Sequence, residues 1–460
     1  MSRVRLLEII VRNFKNVDYG QVNLGNTKNF ESSILGMYGQ NGSGKTALID
    51  AMDLFKVLAQ GQPVPRRFSN FIKIDKDYAE LTYRFEIEDN QDSKQMTYTV
   101  RLANTDDLSM QGNTISANHV VSKKVVILWE KLTCKAGSSY TKTVFDTQTD
   151  QQTIFLPKYR LEELMGNDST TDLLVEKKMT EENSQSFLFS RQVMKRFRDY
   201  THDLESKLLE QLVEYAYKRL FVIGTANSGL ISLHMLPLAI SYQSSQQEAV
   251  GTIGIKLNEF NEIPADLFDI LKKAIDNMNV VLYQLVPGLK IGVISLGQAL
   301  NEMGQVIESV QIVSEKNSKK IPLIYESEGI KKIISILNLL IGVYNSSSVT
   351  VVIDELDAGI FEYLLGELLS ILQKNGKGQL IFTSHNLRPL ETLARDSIYF
   401  TTTNSENRYI RFKHIKKTNN LRDSYYRDIL LGGQEELVYD TTNNAKIAFA
   451  FKKAGELVHD

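Results

Sequence analysis

Gly39 to Thr46 reads GQNGSGKT, a run that satisfies G-x-x-x-x-G-K-[ST] and sits between the apolar SILGMY at 33–38 and the amphipathic ALIDAMDLFKVLAQ. Residues of these types at this spacing do phosphate chemistry. Gly39, Gly42 and Gly44 permit a tight turn whose N–H groups, with those of Asn41, Ser43 and the following helix start, face an anion. Lys45 is placed to reach the β- and γ-phosphates of a nucleotide, and Thr46 offers its hydroxyl to Mg²⁺.

Three further strings could complete such a site. VTVVIDEL ends an apolar strand on Asp354 and Glu355, at the carboxyl edge where open α/β sheets bind ligands. Asp354 would bind Mg²⁺ and Glu355 would polarise the water that attacks the γ-phosphate. Taken alone, the string means only a strand end with a solvated carboxylate; the phosphate loop upstream is what gives it chemistry. His385 in FTSHN again closes an apolar strand, where it either caps the chain or senses a γ-phosphate. In YESEGIKKIISILNLL, Ser327 and Gly329 precede a helix with Ile330, Ile333, Ile334 and Leu337 on one face. Ser327 is there a helix cap, a phosphate contact, or both.

These residues need positioning elements. Residues 5–11 and 33–38 read as strands, and Leu48, Met52, Phe55 and Ala59 recur at helical spacing. From Tyr78 to Leu102 apolar and polar residues alternate around DNQDSK, the pattern of an antiparallel hairpin, and VVSKKVVILWEKLTC at 120–134 continues it. Leu204, Leu208, Leu212 and Tyr215 mark a helical stripe, and ADLFDILKKAIDNMNVVLYQL predicts another helix, so 159–290 reads as a largely helical insert. KIGVISL and VIESVQIVSE return to strand patterning, and VTVVI predicts a buried parallel strand.

Composition narrows the class. Lys plus Arg number 53 against 55 Asp plus Glu, so a chain coated throughout for polyanion binding is excluded, though SRQVMKRFRDY and FKHIKK at 412–417 form local basic patches. Solvated faces or partner contacts account for such patches more simply than DNA does. The single cysteine, Cys134, permits neither an internal disulfide nor a cysteine-rich metal site and fits a cytoplasmic setting. No stretch approaches the roughly 20 apolar residues of a membrane span. Arg196 and His202 match an R-x(5)-H ribonuclease spacing, but in a helix that reads as solvated.

In order, GQNGSGKT, S-x-G before a helix, VVIDE and SH resemble the ATP-binding-cassette class of ATPases. Within it, LLEIIVRNFKN, the 78–102 hairpin, WEKL, SFLFSR and the reduced signature ESEGIKK resemble AAA-labelled, OLD-like ATPases of abortive-infection and related phage-defence systems. The resemblance implies ATP and Mg²⁺ as cofactors. It also implies that Ser327 and Gly329 act in trans in a homodimer or larger homo-oligomer, with Asp357 a candidate trans contact. LDAGIFEYLL departs from the usual D-loop, and no Q-loop glutamine stands out.

The expectation is therefore an α/β P-loop NTPase of ABC type, with a mixed sheet and an antiparallel β subdomain. Residues 1–158 and 291–415 form the two parts of the ATPase domain, 159–290 the helical insert, and 416–460 a tail without a fused nuclease. Its expected function is to control a separate effector, a toxin or nuclease, in anti-phage defence; the rival is a DNA-repair or chromosome-maintenance ATPase acting on DNA directly.

Overall fold

The computed structural model describes residues 3–24, 33–89, 92–106, 123–137, 140–147, 154–166, 170–224, 235–243, 248–301, 303–413 and 420–456. The part of the 412–417 basic patch from residue 414 onward lies outside them.

A six-stranded sheet forms the centre, in the order Tyr409–Ile410, Ile398–Thr401, Ser33–Tyr38, Gln379–Thr383, Thr350–Ile353, Leu220–Ile223. Every pairing is parallel except that of the two-residue edge strand Tyr409–Ile410. Alternate side chains feed two cores, as a sheet covered on both faces requires. Leu35, Met37, Val352 and Ile381 face one; Ile34, Tyr38, Val351, Ile353, Leu380 and Phe382 face the other.

The first core is closed by the helix Lys45–Ala59 and an antiparallel sheet. Leu48, Met52, Phe55 and Ala59 are all buried, as their spacing predicts. That sheet runs Val17–Asn23, Arg3–Phe14, Ala79–Asp89, Asp92–Asp106, Lys123–Ala136, Thr141–Asp146. The hairpin pairs Tyr83 with Tyr98, and Phe55 packs 4.9 Å from the Tyr83 ring. Gln379 clips the two sheets together: its buried amide accepts from the Leu6 N–H and donates to the Leu6 carbonyl, each at 2.8 Å. Both groups of the amide are thus satisfied where the ladder of the Leu6 strand slips register.

The span 159–290 differs in part from its reading as helical. Helices Lys158–Met165, Thr170–Glu182, Arg191–Tyr200 and Leu204–Lys218 come first. Leu220–Ile223 then joins the central sheet beside Thr350–Ile353, followed by the hairpin Met235–Gln243/Glu248–Lys256, the strand Asn261–Pro264 and the helix Ala265–Leu285. Four apolar residues directly after a helical stripe carry no periodicity of their own, and only the long-range parallel ladder fixes LFVI as a strand. Within the stripe, Leu208, Leu212 and Tyr215 are buried but Leu204 is exposed. The second core is covered by Ala265–Leu285, Glu328–Asn345 and Glu362–Asn375.

Candidate functional site

The loop Gly39–Gly44 leaves the strand Ser33–Tyr38 and enters the helix at Lys45. Gly39 has φ +149°, and a β-carbon there would lie 1.8 Å from Thr401 Oγ1, so only glycine lets the loop pass. The Ser43 hydroxyl donates to the Gln40 carbonyl and shares a hydrogen bond with Thr401. Tyr409 donates to the Gly44 carbonyl at 2.9 Å. Asn16, in the turn between the first two strands, donates to the Gly42 carbonyl. Lys45 is buried, and its Nζ donates to the carbonyls of Gly39 (2.8 Å) and Gln40 (3.0 Å). Burial lowers its pKa, while Asp354, Glu355 and Asp357 act against that shift.

Two strands away, Asp354 is buried and its N–H donates to the Ile223 carbonyl at 2.8 Å. Its Oδ1 accepts from the Thr383 hydroxyl at 2.5 Å, and Thr383 Oγ1 in turn accepts from the Glu355 N–H at 2.8 Å. Glu355 adopts φ +49°, a left-handed conformation of the kind that persists at functional sites when neighbours hold it. Here Thr383 holds both sides of it, since its carbonyl also accepts from Leu356 N–H at 3.0 Å. Thr383 was not singled out in the sequence, although it lies in FTSHN, where a small polar residue closes an apolar strand.

Asn41, Gly42, Ser43, Gly44, Lys45, Thr46, Asp354, Glu355, Thr383 and His385 converge on one cavity of about 880 Å³. Lys15, Asn16 and the segment 70–75 complete its wall. None of these wall residues was legible as a site residue: Lys15 and Asn16 come from a hairpin turn and 70–75 from a connection with no motif.

Asp357 Oδ2 accepts from the N–H groups of His385 (3.1 Å) and Asn386 (3.0 Å) of its own chain and so positions the histidine loop. Ser327 caps the helix Glu328–Asn345, accepting from Ile330 N–H at 3.3 Å, and is exposed outside the cavity. Gly329 packs on the turn that carries Asp357: a β-carbon at 329 would sit 2.1 Å from the Gly359 carbonyl oxygen. Lys332, one turn further along, is buried facing Glu355, Asp354 and Asp357; burial lowers its pKa and those carboxylates oppose the shift.

Gly329→Ala must therefore push backbone against backbone. It is expected to cost about 1–3 kcal/mol, as overpacking does. In hydrogen exchange the His385 and Asn386 amides should lose protection with it. Unchanged protection at both amides would show that the two turns move independently.

The ribonuclease-like pair is not brought together. Arg196 donates from the helix Arg191–Tyr200 to the Leu164 carbonyl at 3.0 Å, whereas His202 is exposed beyond the end of that helix.

A protein-family model for the AAA ATPase domain matches residues 5–388, from the first strand to just past His385. The chain belongs to the AAA ATPase domain family. Its P-loop and central parallel sheet make it a mixed α/β P-loop NTPase fold. No curated protein matches the chain. Among solved structures, it is similar to an Smc head bound to the C-winged helix domain of ScpA, with 11% identity and a TM-score of 0.40 over 88% of this chain and 97% of that one. It is also similar to a Pyrococcus furiosus Smc head domain with an extended coiled coil, bound to the C-terminal domain of ScpA (11%, TM-score 0.41, 92% and 98%). A third is the SMC head domain from Thermotoga maritima (14%, TM-score 0.39, 89% and 100%). Among the described residues, no helix is long and apolar enough to cross a membrane.

Proposed function

We propose that the chain binds Mg²⁺-ATP in this cavity and hydrolyses it in a head-to-head pair of copies, each offering Ser327 and Gly329 to the other's γ-phosphate. The observation that carries this reading is one cavity joining the loop Asn41–Thr46 to Asp354, Glu355 and His385, while Ser327 stands exposed outside it. Lys45 would exchange its two carbonyl contacts for phosphate oxygens. The Thr46 hydroxyl and Asp354 would hold Mg²⁺, which supplies charge neutralisation at the phosphates. A hydroxyl and one buried carboxylate fit that ion, which takes few protein ligands and leaves its other positions to phosphate and water. Among the described residues, no cluster of His, Cys, Asp and Glu offers an all-protein cage instead.

Glu355 accepts the proton of the attacking water, and His385 contacts the γ-phosphate. ATP drives pairing only through binding the closed pair better than the separate copies. Mixing two inactive variants tests the trans arrangement. Lys45→Ala and Ser327→Arg should each abolish turnover alone. Mixed equally, they should recover about one quarter of wild-type activity, because half the symmetric pairs are then mixed and hold one intact site. No recovery would sink the trans reading.

The output we assign is control of a separate effector protein, a toxin or nuclease, in anti-phage defence. It is supported by the resemblance of LLEIIVRNFKN, WEKL, SFLFSR and ESEGIKK to ATPases of that class. One observation favours direct action on DNA: a groove of about 830 Å³ beside the nucleotide cavity is lined by Arg66, Arg67, Lys73, Lys76 and Lys123. Turnover raised several-fold by duplex DNA, with steep salt dependence, would put that reading first. Turnover indifferent to DNA leaves the effector reading in place.

A further inference from the structure

The phosphate loop is held from outside by residues that follow the family-matched span 5–388. Thr401 Oγ1 donates to the Tyr38 carbonyl at 3.2 Å and shares a hydrogen bond with Ser43, and its bulk is what confines position 39 to glycine. Arg408 is buried. Its guanidinium donates to the carbonyls of Thr402 (2.5 Å) and Asn16 (2.6 Å), and Asn16 in turn donates to the Gly42 carbonyl. Tyr409, also buried, donates to the Gly44 carbonyl at 2.9 Å, and Asp440 N–H donates at 2.9 Å to Oε1 of Gln40. Gly39, Gln40, Gly42, Ser43 and Gly44 thus each meet a group from 401–440, directly or through Asn16.

These anchors are themselves fixed. Thr402 N–H donates to the Arg408 carbonyl and Arg408 N–H to the Tyr19 carbonyl, each at 3.0 Å, while the N–H groups of Asp18 and Tyr19 both donate to the Ser405 carbonyl at 2.9 Å. The side chains of Asn404 and Asn407 donate to Glu436. Tyr409 has the tightest seat: a β-carbon at Gly20 would lie 2.5 Å from two atoms of its ring, so the ring is pressed against the strand Val17–Asn23 with its hydroxyl on Gly44. Burial raises the pKa of that hydroxyl, against the influence of Arg408, so it stays a donor. Gly44 has φ +96° and stands at the N-terminus of the helix Lys45–Ala59. Its carbonyl and the Lys45 N–H belong to one planar peptide and point in opposite directions. Holding the carbonyl therefore fixes the direction of the N–H, at the helix end where an anion binds.

We propose that Tyr409 is a positioning residue for nucleotide binding: its hydroxyl, with the ring braced on Gly20, fixes the Gly44–Lys45 peptide and so sets how tightly the loop holds phosphate. This inference rests on the reading of the cavity as an ATP site. Tyr409 is not among the residues that line the cavity, so it acts through the loop and not by touching the nucleotide. The loop N–H groups meet phosphate in the ground state and the transition state alike. Loosening them weakens binding without slowing the chemistry of nucleotide already bound.

The test measures ATP Kd, kcat at saturating ATP and melting temperature on the full chain, for Tyr409→Phe, Gly20→Ala and the double variant, with Lys45→Ala as reference. Tyr409→Phe should raise Kd about 3–10-fold, the net weight of one hydrogen bond. Its kcat and melting temperature should change little, since the Gly44 carbonyl keeps the Ala47 N–H at 3.2 Å. Gly20→Ala removes no hydrogen-bonding group but displaces the ring, and should also raise Kd. In the double variant the two increases should not multiply, because the displaced ring has no hydroxyl left to misplace. A Kd within twofold of wild type in Tyr409→Phe, a loss confined to kcat, or increases that multiply in the double variant would each overturn the proposal. If Lys45→Ala also binds ATP as wild type does, the ATP reading of the cavity fails. If Lys45→Ala alone loses binding, that reading stands and the role of Tyr409 falls.

Discussion

Glu355→Gln should bind ATP as tightly as wild type and turn it over about 10²–10⁴-fold more slowly, the usual cost of removing a general base. The substitution is nearly isosteric and leaves the N–H that Thr383 Oγ1 holds at 2.8 Å, so the left-handed turn persists. What is lost is the carboxylate that accepts a proton from water; what remains is Asp354, locked by Thr383 at 2.5 Å. If ATP favours the closed pair, slowing hydrolysis traps it, and mass measured with ATP should rise above that measured with ADP. Single-turnover ATPase and mass with each nucleotide check both halves. Turnover within a factor of two of wild type would show that Glu355 is not the base. Loss of ATP binding instead would mean that its charge holds the loop, through Lys45 or Lys332, which both face it.

The parts of this site readable in the sequence were those whose chemistry and local element coincide. GQNGSGKT needs its glycines for a turn between strand and helix, and VTVVIDEL and FTSHN needs an apolar strand to bring a polar residue to the sheet edge, so motif and element predict each other. Residues that act through distant packing had no such signal. Asn16 reaches Gly42 only because the first hairpin folds over the loop, and Gln40 meets Asp440 across almost the whole chain. Asp357 has a plain acidic residue's context in sequence, and its contacts with the His385 and Asn386 amides require the parallel pairing of Thr350–Ile353 with Gln379–Thr383. The strand Leu220–Ile223 was hidden for the same reason, since its partner is Thr350–Ile353.

Glu130→Ala should be among the most destabilising single changes in the chain. WEKL and SFLFSR, separate in the sequence, meet at this residue. The Glu130 carboxylate is buried, and it accepts from the hydroxyls of Tyr98 (2.7 Å) and Ser186 and from the N–H groups of Phe187 (2.8 Å) and Leu188 (3.3 Å). Each buried donor left without an acceptor costs about 1–3 kcal/mol, so the expected loss is about 4–5 kcal/mol, at the extreme of single substitutions. The consequence reaches the far end of the P-loop helix. Ser184 accepts from Val64 N–H at 2.9 Å, Gln185 donates to the Gly61 carbonyl at 3.1 Å, and Phe189 packs 5.0 Å from the Tyr98 ring. Burial raises the Glu130 pKa while its four donors oppose the shift. A carboxyl raised in the folded state supports the fold at low pH and withdraws that support as pH rises through the raised value. Glu130→Gln, which cannot ionise, should therefore lose this pH slope while keeping part of the hydrogen bonding, and so melt between wild type and Glu130→Ala. Because the phosphate loop lies at the opposite end of the helix Lys45–Ala59, ATP affinity well below the melting temperature should be unchanged in both variants. Melting temperatures across pH and ATP titrations at low temperature separate the two effects. If Glu130→Ala melts with wild type, the network is not what holds the 184–189 segment; if ATP affinity falls with stability, the helix transmits the loss along its length.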